Sequence, residues 1–480
     1  MNSALKYFKA SIIMMLVVCC FISCKKDNFI TDSGAKLDFS SDSILFDTVF
    51  TTIGSTTKQF TIRNTNNKPI KITSIKLAGG NASAFRINVD GVGGTTVTDV
   101  EIPKKDSLYV FVEVTVNPTN INSPLVIRDS IVFETNGNIQ DVKLEAWGQD
   151  AYYHKPTIFS TNGFPPYSLI KCSQTWTNDK PHVIYGYAVV DTDSVLTMNP
   201  GTGVYLYNRA VLWVYEGGTL KIQGSKDNPV TFQGVRREHD YDDVPGQWGK
   251  IWLSALSKDN LIDWAIIKNG SIGVQVDTFA TSPNPTLQIS NTIIKNMSAA
   301  ALYAQGSKIR GYNCVFANSG QYVAALTLGG TYSFYHCTFA NYWQDSRSTP
   351  AVFINNWYKD IYNTINIRSL DSAYFGNCIV YGNLANELGV DSLPGTFFYK
   401  LDNCLIRTDL NTANAYHFNT LNIINQDPSF TDYSINNYML TGTAAKDKGN
   451  ITIGVKYPID LKGNSRTSDT APDVGAYEKQ

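Results

Sequence analysis

The stretch "NCVFANSG" spans Asn313 to Gly320, and close variants of it return along the chain. "HCTFANYW" begins at His336, "NCIVYGNL" at Asn377 and "NCLIRTDL" at Asn403. Two earlier segments keep the pattern without the cysteine, "AIIKNG" from Ala265 and "TIIKNM" from Thr292. Taking Ala265, Thr292, Cys314, Cys337, Cys378 and Cys404 as equivalent positions, the intervals are 27, 22, 23, 41 and 26 residues. Such a period marks an architecture in which each repeat buries its apolar side on the next. Each period holds short β-rich runs separated by Gly, Asn, Ser or Pro, with no helical periodicity.

A coil of 22 to 27 residues with three short strands is one rung of a right-handed parallel β-helix. Equivalent residues of successive rungs then stack about 4.8 Å apart. An inward column accepts only side chains that tolerate similar neighbours above and below. Ala265, Thr292 and the four cysteines are small and nearly apolar, as that requires. Asn269, Asn296, Asn318 and Asn341 recur four residues later, where turn asparagines can bond the backbone and the next rung's amide. Gly382 and Thr408 interrupt this ladder. The 41-residue interval exceeds one rung, so Gln344 to Ser372 is expected to hold a strand at "AVFINN" followed by an outward excursion.

Five of the eight cysteines lie beyond Cys24, and no C-x2-C pair suggests a metal site. A stacked column of reduced thiols is the reading adopted. A single disulfide between Cys314 and Cys337 is its alternative.

The N-terminus places Lys6 and Lys9 before an 11-residue apolar run, Ile12 to Ile22. That run is shorter than the ~20 residues a spanning helix needs, and reads as an export signal. The "FISC" that ends it resembles a bacterial lipobox, which implies lipidation of Cys24 and a membrane anchor. "KKDNF" after it partly resembles the tether of Bacteroidetes-type lipoproteins. The implied location is the outer membrane, at its periplasmic face or the cell surface. With 40 Lys and Arg against 41 Asp and Glu, no basic surface points to nucleic acid.

From residue 37 to 149 the apolar residues alternate, as in "QFTIRNTNNKPIKITSIKL" from Gln59 and "DSLYVFVEVTVNP" from Asp106. In "DSIVFETNGNIQDVKLEAWG" from Asp129, "TNGNI" signals a hairpin. About seven half-buried strands suggest a β-sandwich. The phrases "FTIRNTNNKPIKI", "FRI", "VEVTVNP" and "VKLEAWG" resemble immunoglobulin-like domains of the ASPM/SPD-2/Hydin kind, which implies a spacer or interaction module.

Asp193 to Gly234, followed by "QWGKIWL" from Gln247, resembles the opening rungs of bacterial β-helix proteins of pectate-lyase-like fold. "DLKGNSRTSDTAPDVGAYEKQ" from Asp460 resembles a C-terminal segment found on many of them. That fold includes lyases and hydrolases of uronate polysaccharides. The hydrolase triplet "NTD", "DD", "GHG" is missing except for Asp242-Asp243. Glu238, Asp240, Asp242 and Asp243 form the densest acidic loop and are candidate calcium ligands, with Arg236 or Arg237 as a lyase base. Tyr342, Trp343, Trp357 and Tyr358 surround the excursion and are candidate glycan-stacking rings. The five histidines are scattered, and His336 is read as structural.

The organisation expected is therefore all-β: signal peptide 1–23, tether 24–36, immunoglobulin-like β-sandwich 37–149, right-handed parallel β-helix 150–430 and C-terminal cap segment 431–480. The expected function is a non-catalytic structural, adhesive or glycan-binding envelope lipoprotein, whose partner is a polysaccharide or another surface protein. The alternative is a calcium-assisted polysaccharide lyase or a glycoside hydrolase.

Overall fold

The computed structural model describes residues 28–479, apart from 52–53, 118–124, 161–162 and 279–282. The expected signal segment and Cys24 lie outside the described residues. The chain divides into two compact units, one ending at Gln149 and the other starting at Asp150.

The first unit is a sandwich of two five-stranded sheets. Strict alternation in Ser107–Val114, with every second residue buried, gives each strand one core face and one wet face. Asn136 and Gly137 both take positive φ, at 51° and 77°, closing the hairpin between Leu125–Thr135 and Asn138–Gln149. Residues just before 37, expected to be tether, pack here: Ala35 is buried and Ile30 donates to the Pro69 carbonyl at 2.9 Å.

The second unit winds through three parallel sheets of 11, nine and nine strands. One coil runs Val315–Ser319 in the first sheet, Tyr322–Thr327 in the second and Gly330–Tyr335 in the third. Val315 is in register with Ile293 on one side and Thr338 on the other. Between the third and first sheets the later coils, from Trp264 onward, turn on a single left-handed residue. Asn291, Asn313, His336, Asn377 and Asn403 hold φ of 48°, 51°, 49°, 54° and 52°. Asparagine is among the few L residues that visit this region readily, which explains why it precedes four of the six column positions; Trp264 holds the same conformation, φ 53°, before Ala265.

The column itself is built as expected. Cys337 and Cys378 are vertical neighbours although 41 residues separate them, because the Cys337 amide meets the Cys378 sulfur at 3.5 Å. The Cys378 amide meets the Cys404 sulfur at 3.4 Å. Each thiol also donates to the carbonyl two residues back, from Cys314 to Tyr312 at 3.2 Å through Cys404 to Asp402 at 3.4 Å. Thr292 makes the same bond to Ser290 at 2.6 Å. All four thiols are buried and free, and burial pushes those of Cys314 and Cys378 well up. The surplus residues between Cys337 and Cys378 form the expected strand, Val352–Asn355, then a protruding hairpin of Trp357–Lys359 and Ile365–Ile367.

Two expectations change. The amide-to-amide contact lies in the left-handed corner, where Asn313 Nδ2 donates to Asn291 Oδ1 at 3.2 Å. Asn269, Asn296, Asn318 and Asn341 instead bond backbone and loops; Asn341 accepts from the Ser319 amide and donates to its carbonyl. Loops of unequal length leave the first sheet there, so the amides do not stack.

The C-terminal segment, expected as a cap, lies along the flank as a strap. Tyr438, Leu461, Ala476 and Tyr477 pack on the outer side chains of the first sheet, Val315, Ala317 and Ala340. Strands such as Val315–Ser319 are consequently apolar on both faces. Phe418, packed on the main core, lies at the last coils instead. The corner asparagines dock the strap. Asn377 accepts from the Asn450 amide at 2.7 Å and donates to its carbonyl at 3.1 Å, while Asn403 and Asn313 donate to Lys448 and Ile459. Arg466, itself buried, joins Asn313 to Glu478, 2.6 Å away. Burial pushes the Glu478 carboxyl up to about 7.

Asn377→Ala removes a left-handed former and three bonds at once. We expect a loss of about 2–4 kcal/mol in urea unfolding, with Asn377→Gly recovering only the backbone part.

At the first coils Trp176 stacks on His182 at 4.2 Å and on His154 at 4.4 Å. Burial lowers His154 to about 4 and His182 to about 3. Folded neutral imidazoles add stability that is complete above pH 6.5 and lost as pH falls towards 4, of order 3 kcal/mol for His154 alone. Denaturant midpoints between pH 7 and pH 4.5 should fall less in His154→Phe than in the parent. Glu478 acts with the opposite sign, favouring the fold as pH falls from about 7 towards 4.5.

Candidate functional site

The strap packs on the first sheet, whereas on the outer face of the second Trp252, Tyr303 and Phe353 are half-buried and Trp213 is buried. The register of the second sheet aligns Trp213, Trp252, Gln275, Tyr303, Ala325 and Phe353 in one column. Their neighbours in sequence, such as Val214 and Leu253, point into the core. Trp213 stacks on Trp252 at 4.7 Å, with Phe164 5.7 Å from its ring centre. Lys250 Nζ lies 4.5 Å from the Trp252 ring and donates to Gln275, and Trp252 Nε1 donates to Asp277 at 2.6 Å. Burial lowers the Lys250 pKa.

Loops rise on both flanks of this face. On one flank lie the segments that connect the first sheet to the second, Val235 to Gln247 and Tyr342 to Ala351. The hairpin from Trp357 to Ile367 rises on the other. The second sheet is thus flanked by long loops at one edge and by the hairpin at the other.

The four candidate rings divide between the two rims. Tyr342 stacks face to face on Tyr433 of the strap at 4.1 Å and meets Phe430 edge-on, so it packs the fold together. Trp343, half-buried, lines a cavity of about 270 Å³ with Asp243, Asn296, Asn318, Asp345 and Asn436. On the far rim Trp357 Nε1 donates to Asp391 at 3.1 Å, and Tyr358 lies 6.0 Å from the Arg368 guanidinium. These rings do not form one platform.

The acidic loop is also dispersed. Glu238 pairs with Arg236 at 3.1 Å, and Asp242 with His239 at 3.4 Å. Asp243 is held by Lys295 at 3.5 Å and Asn296 at 2.7 Å, while Asp240 is exposed in the short turn His239–Tyr241. Among the described residues no three His, Cys, Asp or Glu side chains are placed to hold a metal ion. The base candidates are engaged too, Arg236 over the Tyr241 ring at 3.7 Å and Arg237 at 5.3 Å from that of Tyr205.

Asp345, Tyr433 and Asn436 were not anticipated. The last two reach the cavity only because the strap returns over the coils, and no local pattern announces that. A buried ion pair fixes this rim. Arg347 meets Glu387 at 2.7 Å and also donates to the Asn341 carbonyl and to Asn383. Glu387 in turn accepts from the Ala351 and Leu384 amides.

Residues 192–339 match the model of the family described as "Right handed beta helix region". No curated protein matches the sequence. Solved structures similar in part include a family 123 glycoside hydrolase from Clostridium perfringens, with 7% identity, TM-score 0.18, and 24% of this chain and 27% of that one covered. A protein of unknown function from Porphyromonas gingivalis W83 shows 16% identity and TM-score 0.19, covering 26% and 50%. The ASH/PapD-like domain of human CEP192 shows 11% identity and TM-score 0.17, covering 25% and 89%. The chain thus spans about a quarter and a half of the first two.

Arg347→Leu leaves Glu387 buried without its partner. The expected cost is about 3–5 kcal/mol, and the double change with Glu387→Leu should recover much of it in thermal unfolding.

Proposed function

We propose that the protein is a non-catalytic, carbohydrate-binding lipoprotein of the cell envelope, anchored through Cys24 and presenting its β-helix to a polysaccharide. One observation carries this reading: half-buried aromatic residues, Trp252, Tyr303 and Phe353, along the outer face of the second sheet, and a Trp343-lined cavity among the loops at its edge. Apolar surface rimmed by polar groups is the usual composition of a ligand site. Because Trp213 and Trp252 stack on each other, they present edges rather than faces, which leaves Trp343 as the ring best placed to meet a sugar. The N-terminal sandwich, read as immunoglobulin-like, acts as a spacer from the membrane.

A second reading, polysaccharide hydrolysis, rests on Asp243 and Asp345 lining the same cavity, since glycosidases use two carboxylates.

Glycan-array retention should drop at least tenfold in Trp343→Ala and little in Tyr342→Phe, with no new reducing ends or 235 nm absorbance, with or without chelator. Unchanged retention in a folded Trp343→Ala protein removes the binding reading. Reducing ends that vanish in Asp345→Asn install the hydrolytic one.

A further inference from the structure

Building on the glycan-binding reading, we propose that the Trp343 cavity selects an amino sugar carrying a free ammonium group and rejects uronates. The lining holds two carboxylates, Asp243 and Asp345, and no Lys or Arg. Asp243 is partly met by Lys295 and Asn296. Asp345 is exposed and forms no ion pair or hydrogen bond among the described residues. Asn296, only 6% exposed, donates to Asp243.

The lining thus carries two negative charges and no cation, beside neutral groups such as Gln344, Ser434 and Asn436 that both donate and accept. An ammonium matches that charge and brings three N–H groups. Trp343 in the same wall brings an indole, the aromatic group that attracts cations most strongly. A uronate would add a third anion to the cavity, whose like charges disfavour it. At about 270 Å³ the space is below the ~300–1,000 Å³ of drug-sized sites, which suits a single ring.

The test is calorimetry of the full chain with glucosamine tetramer, its fully N-acetylated counterpart and a galacturonate tetramer at pH 6. The glucosamine tetramer should bind at least tenfold tighter than the acetylated one, and the galacturonate weakest. Asp345→Asn, at an exposed position with no bonds to lose, should bring the glucosamine tetramer's affinity down to that of the acetylated one. Trp343→Ala should weaken both. Equal or tighter binding of the acetylated or galacturonate ligand overturns the amino-sugar inference and leaves the glycan-binding reading standing. Binding of none of the three, with a glycan array also blank, overturns both.

Discussion

The left-handed corner between the third and first sheets is the constraint on which the rest depends. From Trp264 to Asn403, one residue at positive φ turns the chain from the third sheet into the first in each successive coil. Asparagine meets that demand at small cost and brings an amide that still has bonds to make. The corner at Asn377 shows both uses, since its backbone turns while its side chain ties down the strap. Directly after the turn, the small side chain donates to the carbonyl two residues back, and for Cys378 and Cys404 its sulfur also meets an amide of the adjacent coil. The paired letters "NC" are thus one device, a turn followed by a stacked, self-satisfied core position.

From this the asymmetry of the molecule follows. The first sheet is clad by the strap, which buries Arg466 and Glu478 in the process. The third sheet carries exposed polar positions such as Gln288 and Arg310. The second sheet combines half-buried aromatic residues with long connections at both edges. The coil supplies a long, rigid floor, while loops of unequal length supply the chemistry at its edges.

Periodic features were legible in the sequence because stacking imposes the same chemistry on every coil. The column from Ala265 to Cys404, the excursion after "AVFINN" and the Asn136-Gly137 hairpin all belong to that class. The strap was not legible as such. Its contacts with Val315, Ala317 and Ala340 join residues more than a hundred positions apart, and its composition does not distinguish an end cap from a lateral cover. The site divides in the same way. Asn296 and Asn318 stood out as ladder residues, yet their place in a cavity depends on Asp243 and Trp343 arriving from separate loops. Grouping Tyr342 with Trp357 failed because neighbours around an excursion leave the coil at different corners.

The central claim, that residues some two dozen positions apart are vertical neighbours, is open to direct measurement. Gln288 and Arg310 are exposed register partners on adjacent strands of the third sheet, and Ser333 lies one strand further on. Paired strands lie about 4.8 Å apart, within disulfide reach, whereas two strands away exceeds it. Mild oxidation should close a disulfide in Gln288→Cys/Arg310→Cys and not in Gln288→Cys/Ser333→Cys, as read by mass spectrometry of proteolytic fragments. No bond in the first pair, or equal bonding in both, contradicts the stacked coil.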